Sequence, residues 1–331
     1  MLPLGVVIPT KNSMPYLPAH LEAMRAWQDL AQEIIVVDSL SGDGSVDFIK
    51  TRLSHPNVRF LSHPPGLYQS WNHGIANITQ TFFYIATTGD TITRAGLEQL
   101  VSVAESFSAD VVISKPRFAA RDGLPAEDIR WPIDDIIATL NITTPRALAK
   151  LEAVIFAVAN VTGALLGSSA SNLYRAETMR RLPFPTDFGT GGDGAWGLLH
   201  AAEVAWAVVP EIFSTFLIHP TNASDAEKQS WRTSRRPDDV LRAAMTAWRG
   251  SNTISDTELQ NIGWEGMIGA LTSFLDAKAA FDQNRRGSVP WVVNPRAWQN
   301  RLERGRSARR LDELKQRALM NRAGQDFCKA C

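Results

Sequence analysis

The chain has 331 residues, which is more than one typical domain, and 44% hydrophobic with 21% charged residues is the composition of an ordinary globular protein. The charges of its 34 basic and 34 acidic side chains cancel, so the net charge gives no reason to expect a polyanionic partner. The first twelve residues lack a basic region ahead of their apolar stretch, and the longest apolar passage, residues 154–167, is too short to span a bilayer. We therefore expect a soluble, cytoplasmic protein.

The first third of the sequence alternates short apolar runs with amphipathic stretches, a pattern typical of βαβ units in a parallel sheet. The apolar runs predict strands over 5–8, 33–37, 58–62, 82–86 and 111–114. Apolar residues three or four apart predict helices over 15–27, 45–53, 68–78 and 94–107. The sequence thus predicts an α/β fold whose strands end at one edge of the sheet, where open α/β sheets bind ligands.

The rest of the chain is less regular. After a stretch of weak periodicity from residue 115 to about 146, the sequence predicts a buried helix in 154–167 and a short strand over 172–174. Residues 187–194 form a glycine-dense loop before an apolar helix over 195–202, and such loops allow unusual backbone angles and close approach. We predict two halves of one domain, residues 1–114 and 115–224, and a helical C-terminal extension over 225–331.

Three polar segments follow predicted strands and should converge at the sheet edge: residues 9–12, 38–44 and 87–90. Asp38 could accept hydrogen bonds from a nucleobase or ribose, while the backbone amides that follow could receive phosphate oxygens. Asp90 could hold a hard divalent cation that neutralises a departing diphosphate. Capping of the next helix is the alternative interpretation for Ser41, Asp43 and Asp90.

Two further residues could complete the site from the other half of the domain. Asp193, in the glycine-dense loop, could be the base that takes the proton of an attacking hydroxyl, and helix capping is its alternative. His219 follows another apolar run and could add an imidazole nitrogen to a metal shell, although a lone histidine near a strand end is more often structural.

Taken in order, these segments resemble the inverting family 2 glycosyltransferases of GT-A fold. Residues 6–12 look like the opening strand and turn of that family, and residues 34–45 look like its second strand and turn. Residues 66–76 are similar to the segment that leads into the family's metal-motif strand, with Asn72 and Gly74 at the matching places. The resemblance is densest over residues 4–101 and resumes more loosely over 167–224.

The resemblance implies a Rossmann-like GT-A fold, with a mixed, mostly parallel sheet flanked by helices. It also implies an enzyme of polysaccharide biosynthesis or a related pathway, which transfers a sugar with inversion from a nucleotide-diphosphate sugar to a hydroxyl acceptor on a polysaccharide, glycolipid or other glycan. The implied donor-nucleotide site consists of Pro9, Thr10, Asn12, Asp38, Ser41, Asn72 and Gly89. Asp193 would be the catalytic base, and Asp90 with His219 would hold Mg²⁺ or Mn²⁺.

The sequence also departs from the family pattern. Paired aspartates are usual where Asp38 is followed by Ser39, and the 87–90 segment supplies one carboxylate where two or three are common. This thinned motif supports an alternative function, a degenerate GT-A domain that binds a nucleotide or glycan without catalysis. An oxidoreductase is disfavoured because the first turn lacks GxGxxG spacing, and a nucleotidyltransferase because no Gly-rich basic loop follows the first strand.

The C-terminal extension contains a basic helical segment, residues 296–322, inside a neutral protein. Such a segment could attract the anionic inner face of a membrane, which would suit a lipid-linked acceptor, although a solvated helix face or a homo-oligomer contact is the more frequent explanation. Sparse aromatic residues disfavour nucleic acid. Cys328 and Cys331 have CxxC spacing, and two reduced thiols on a frayed tail are favoured over half a metal site or a redox pair.

Overall fold

The structure is a computed structural model that describes residues 1–119, 131–159, 165–166, 168–218, 237–250, 253–285 and 295–330. The chain forms two compact units. The first consists of Met1–Leu148, Leu165–Gly197 and Val204–Arg235, and the second of Ala149–Ala164, Leu198–Glu203 and Arg236–Cys331. Two stretches from the middle of the chain thus join the C-terminal helices. The division at residues 114 and 224 stays a prediction.

A nine-stranded mixed sheet organises the first unit. Its strands are β1 (Leu4–Thr10), β2 (Glu33–Asp38), β3 (Val58–Ser62), β4 (Phe82–Ile85), β5 (Thr91–Ile92), β6 (Val111–Ala119), β7 (Arg146–Ala147), β8 (Asn172–Arg175) and β9 (Trp206–Leu217). Their order is β3-β2-β1-β4-β8-β6-β9-β5, with β7 paired to β9. The first four strands of this order run parallel, whereas β8 is antiparallel to both β4 and β6. The predicted mixed α/β fold is confirmed.

Helices alternate with these strands as the apolar periodicity predicts. They are α1 (Leu17–Met24), α2 (Ser45–Arg52), α3 (Leu67–Ala76), α4 (Arg94–Ser106), α5 (Pro132–Leu140), α7 (Ala176–Arg181) and α8 (Gly192–His200). The four helices predicted in the first third are confirmed, with small shifts at their ends. The Thr93 hydroxyl accepts a hydrogen bond from Gly96 N at 3.1 Å, which satisfies an amide at the start of α4.

The strands at the centre of the sheet are buried along nearly their whole length, because helices cover both faces. This explains why β1, β2 and β4 are continuous apolar runs. Helix α3 packs closely against the sheet at Gly74, where an added Cβ would lie 2.6 Å from Cγ1 of Val7 and 3.0 Å from Cγ2 of Val37. The helix therefore lies flat on the strands that lead to Thr10 and Asp38.

The second unit is helical, as predicted for the C-terminal extension. Its helices are α6 (Lys150–Ala159), α9 (Pro237–Gly250), α10 (Asp256–Asn261), α11 (Trp264–Arg285) and α12 (Pro295–Ala330). An ion pair between buried Glu152 and half-buried Arg322 ties α6 to α12, and Ala149 N donates a second hydrogen bond to Glu152 at 2.9 Å. In the part of the chain that the structure describes, none of the helices combines the length and apolarity needed to cross a lipid bilayer.

Candidate active site

The carboxyl ends of β1, β2 and β4 lie side by side at one edge of the sheet. Thr10 is the partner of Asp38 in the parallel register of β1 and β2. On the other side of β1, the Thr88 hydroxyl in the segment after β4 donates to the carbonyl of Pro9 at 3.2 Å. The predicted convergence of the three polar segments is confirmed.

Hydrogen bonds fix the first two of these segments to each other. Asn12 N donates to the hydroxyl of Ser41, and Gly42 N donates to the side-chain oxygen of Asn12, both at 2.9 Å. Asp43 accepts hydrogen bonds from Met14 N at 3.0 Å and from Ser45 N at 3.1 Å. Asp43 therefore holds the start of α2, which is the alternative that the sequence left open, and Asn12 and Ser41 shape a common rim around Asp38.

At this rim, Asp38 and Thr10 can form further hydrogen bonds with a ligand. The half-buried Asp38 carboxylate accepts a hydrogen bond from Ser41 N, which lies 3.2 Å from each carboxylate oxygen. The Thr10 hydroxyl is buried, with 3% of the residue exposed, and has no hydrogen-bond partner among the described residues. Buried hydroxyls are nearly always paired, so an unpaired one beside a carboxylate is a feature that a bound polar ligand would satisfy.

Asp90 lies between β4 and β5, with only 4% of the residue exposed. Its Oδ1 accepts a hydrogen bond from Leu217 N on β9 at 2.8 Å, and its carbonyl lies 2.9 Å from Nδ1 of His20 on α1. Burial raises the pKa of Asp90 to about 7 against the opposing effect of the Leu217 hydrogen bond. The positive φ of Gly89, 103°, lets the chain turn into this position.

His20 is a neighbour of the site that the sequence analysis missed. Burial lowers its pKa to about 4, so the imidazole is neutral and its Nδ1–H can donate to the Asp90 carbonyl, while Nε2 has no partner among the described residues. In sequence, His20 stands on the apolar face of α1 with Leu17, Leu21 and Met24. The sequence shows only that a histidine lies on the core face of this helix. It does not reveal the contact with Asp90, which is 70 residues further along the chain.

The described residues do not offer a ligand set suited to a divalent cation. They contain no group of three or more His, Cys, Asp or Glu side chains that could hold one. Asp90 supplies one buried carboxyl group, and one of its oxygens is bound by the backbone. Hard divalent cations need about six oxygen ligands, some of which can be water or substrate phosphate. His219, the second predicted metal ligand, lies outside the described residues.

Asp193 stands in the first turn of α8 rather than in an extended loop. The glycine-dense segment contains a single 3₁₀ turn, Gly189–Gly191, and the helix begins at Gly192, earlier than the predicted residue 195. The predicted start was too late because glycines, which disfavour helices, occupy this first turn. Asp193 Oδ1 accepts a hydrogen bond from Gly194 N at 2.7 Å, so the backbone orients the carboxyl group.

The hydroxyl of Tyr68, on α3, is the side-chain partner of Asp193. Burial raises the pKa of Asp193 to about 6, although hydrogen bonds from Tyr68 and Gly194 lower it. Burial, followed by the nearby Asp193 charge, raises the pKa of Tyr68 well above its ordinary value. Tyr68 therefore stays protonated and can donate to the carboxylate. At neutral pH Asp193 is mainly ionised and can accept a proton.

Close packing fixes the Tyr68 ring. Its centroid lies 5.1 Å from that of Trp71 and 5.6 Å from that of Phe184. A Cβ on Gly192 would lie 2.5 Å from Cδ2 of Tyr68 and 2.6 Å from the carbonyl oxygen of Pro185. Only glycine at this position lets α8 bring Asp193 beside Tyr68.

The side-chain amide of Asn72, on α3, binds the backbone of Phe184. Its side-chain nitrogen donates to the Phe184 carbonyl at 2.8 Å, and Phe184 N donates to its side-chain oxygen at 3.0 Å. Both ends of the amide are thus bound to one backbone segment, and the role of Asn72 in binding a donor stays a prediction.

Six of the predicted site residues fall into two groups in the described structure. Pro9, Thr10, Asn12, Asp38 and Ser41 meet at the carboxyl ends of the strands. Asp193 is bound by Tyr68 of α3 and by Gly194 of its own helix, and among the described residues it shares no hydrogen bond with Asp38 or Asp90.

Residues 5–156 match the family described as Glycosyl transferase family 2. No curated protein matches the chain.

Solved structures resemble nearly the whole chain. TarS 1–349 of S. aureus in complex with UDP-GlcNAc is 13% identical with a TM-score of 0.55, over 95% of this chain and 90% of that one. The same TarS fragment in complex with UDP is 14% identical with a TM-score of 0.53, over 98% and 92%. The mannosyltransferase PcManGT from Pyrobaculum calidifontis, in complex with GDP-Man and Mn²⁺, is 15% identical with a TM-score of 0.50, over 97% and 86%. The predicted GT-A fold is confirmed.

Proposed function

We propose that this chain, residues 5–156 of which match Glycosyl transferase family 2, transfers a sugar, with inversion, from a nucleoside diphosphate sugar to a hydroxyl acceptor. The acceptor class is a polysaccharide, a glycolipid or another glycan. The observation that carries the catalytic part of the proposal is the Asp193 carboxyl group, which is half-buried, bound by Tyr68 and has a pKa of about 6.

The rim around Asp38 is the proposed site for the donor nucleotide. The Asp38 carboxylate can accept hydrogen bonds from a base or ribose, and the buried Thr10 hydroxyl lacks a partner among the described residues. Pro9, Asn12, Ser41, Asn72 and Gly89 complete the proposed set. The similar structures contain UDP, UDP-GlcNAc and GDP-Man, all of them nucleotides or nucleotide sugars, which supports a donor of this class.

Asp193 supplies the proposed base. As an acceptor hydroxyl attacks the anomeric carbon, its proton passes to the Asp193 carboxylate, the new C–O bond forms, and the bond between the sugar and the diphosphate breaks. One displacement of this kind inverts the anomeric configuration. A pKa of about 6 suits the step, because the carboxylate is mostly ionised near pH 7 and is still more basic than an exposed aspartate.

Asp90 and His219 remain the proposed ligands for Mg²⁺ or Mn²⁺, which would neutralise charge on the leaving diphosphate when bound. The buried, backbone-bound Asp90 carboxyl does not by itself fit a cation, so the steps above involve only residues of the chain. We also propose a cytoplasmic location for the enzyme.

A thermal-shift screen tests the donor assignment. The purified chain is heated with UDP, GDP, dTDP and CDP, each with and without Mn²⁺, and the sugar donors of any stabilising nucleotide are then tested for diphosphate release. A ligand at about 100 times its Kd stabilises the folded state by about 2.7 kcal/mol, so one nucleotide should raise the Tm by several degrees. Asp38→Ala should abolish the shift, whereas Asp43→Ala at the start of α2 should lower the basal Tm and keep the shift. A chain that binds no nucleotide and releases no diphosphate would contradict the proposal.

A further inference from the structure

The solvent-facing side of α12 combines exposed apolar side chains with arginines. Trp298 and Leu302, one turn apart, are 42% and 58% exposed. The next two turns carry the exposed residues Arg306, Arg309 and Arg310. We refer to these five residues as the basic face of α12. Neighbouring exposed Trp and Leu side chains together with several arginines are the composition of a helix that lies at a membrane surface.

Helical geometry places the five residues on one side. With about 100° of rotation per residue, Trp298, Leu302 and Arg309 fall within roughly 40° of one another, and all five fall within roughly 120°. The opposite side of the same helix carries the buried residues Leu311, Lys315 and Ala318. The basic face therefore points away from the packed interior of the second unit.

The local charge of this segment is strongly positive. Residues 296–310 contain six arginines and one acidic residue, Glu303, so their net charge is 6 − 1 = +5, whereas the whole chain has a net charge of zero. Arg310 lies 3.8 Å from Glu313, and both side chains are more than half exposed, so this pair is weak. Arg306 and Arg309 have no acidic partner within ion-pair distance in the described part of the chain.

We propose that the basic face of α12 binds the surface of an anionic lipid bilayer. The arginines would lie against lipid phosphates and carboxylates, and Trp298 and Leu302 would enter the boundary between headgroups and acyl chains. Charge disfavours a second copy of the chain on this face, because a twofold contact would bring like charges together. A nucleic acid would leave the exposed Leu302 unexplained.

Vesicle sedimentation with the full chain tests this inference. The probes are large unilamellar vesicles of phosphatidylcholine alone and of phosphatidylcholine with 30% phosphatidylserine. We expect binding to the anionic vesicles only, and weaker binding in 0.5 M NaCl, because exposed charges are screened at high ionic strength. Each basic residue near such a surface contributes about 1 kcal/mol, and about 1.4 kcal/mol is a factor of ten, so the triple variant R306Q/R309Q/R310Q should bind roughly 100-fold more weakly.

A matched variant controls for net charge. R25Q/R52Q/R181Q removes the same three charges from exposed positions in the first unit and should keep vesicle binding within about threefold of wild type. W298A/L302A, which leaves the charge unchanged, should weaken binding to anionic vesicles by about tenfold or more. Circular dichroism and the Tm should match wild type for all three variants.

Several outcomes would overturn the proposal. These are equal binding to neutral and anionic vesicles, equal losses for the two triple variants, and full binding by W298A/L302A. A concentration-dependent dimer that R306Q/R309Q/R310Q disrupts, or tighter binding to single-stranded RNA than to anionic vesicles, would assign the face to a different partner and would also reject the bilayer.

Discussion

Replacing Tyr68 with phenylalanine should raise the pKa of the proposed base. The Tyr68 hydroxyl donates to Asp193 and lowers the pKa of its carboxyl group, while burial raises that pKa to about 6. Phenylalanine keeps the ring between Trp71 and Phe184 and removes only the donor. The carboxylate would then be desolvated with one fewer hydrogen bond, so its pKa must move upward.

The size of the change follows from the strength of the lost hydrogen bond. A hydrogen bond to an ionised group is worth about 1 to 1.5 kcal/mol more than one to its neutral form, which corresponds to about one pKa unit. The pKa of Asp193 would rise from about 6 to about 7. At pH 6.5 the ionised fraction, and with it kcat/KM, should fall about threefold, whereas at pH 8.5 the two enzymes should be nearly equal.

The assay is the pH profile of kcat/KM for diphosphate release from whichever nucleotide sugar the screen identifies. Tyr174→Phe is the matched control, because the Tyr174 hydroxyl is bound by Asn172 at 3.2 Å and its ring packs against Phe184. We expect the fall of kcat/KM at acidic pH to begin at a higher pH in Tyr68→Phe than in wild type. In Tyr174→Phe it should begin at the same pH as in wild type. A Tyr68→Phe profile that coincides with wild type, or that falls equally at all pH values, would show that Tyr68 does not set the pKa of the base.

Three further substitutions test the surroundings of the site. Glu33→Ala should lower the free energy of unfolding in urea by about 3 kcal/mol, because buried Glu33 accepts hydrogen bonds from Thr79 N, from the Thr79 hydroxyl and from Gln80 N. His20→Asn should remove an acid-induced loss of about 3 kcal/mol in the free energy of unfolding, since the pKa of His20 is about 4 when folded and 6.5 when unfolded. Gly192→Ala should displace Tyr68 and lower kcat about 10- to 100-fold.

Each of these has an outcome that would reject it. An unchanged urea midpoint for Glu33→Ala would mean that its hydrogen bonds are replaced by water. For His20, the neutral imidazole favours the folded state above pH 6.5, and that advantage is lost as the pH falls towards 4. If wild type and His20→Asn lose equal stability between pH 7.5 and pH 4.5, the buried neutral imidazole is not the cause. A Gly192→Ala enzyme with wild-type kcat would show that the position of Tyr68 is unimportant.

Periodicity was sufficient to predict much of the first unit. The apolar runs of β1, β2 and β4 are continuous because helices bury both faces, and this pattern is visible in sequence. The convergence of the polar segments followed from the rule that parallel strands end at one edge. Pairing of Thr10 with Asp38 is the direct consequence.

Other features depend on contacts between distant residues, which a single sequence does not encode. Asp90 and Leu217 are 127 residues apart, and nothing in the sequence around Asp90 indicates that the backbone amide of Leu217 binds its carboxyl group. Tyr68 lies in a segment that the family resemblance covered, but its link to Asp193 required the folded positions of α3 and α8. Helix α6 belongs to the second unit, where buried Glu152 pairs with half-buried Arg322 and so joins two remote stretches of chain.

The most direct test of the central claim is the turnover of Asp193→Asn. Asparagine keeps the size of the side chain and its capacity to accept hydrogen bonds from Tyr68 and Gly194, but it cannot take the proton of an acceptor hydroxyl. We predict that kcat falls about 10²- to 10⁴-fold while the Kd for the nucleoside diphosphate changes less than about threefold. An Asp193→Asn enzyme that binds nucleotide normally and keeps near wild-type turnover would remove Asp193 from its proposed role.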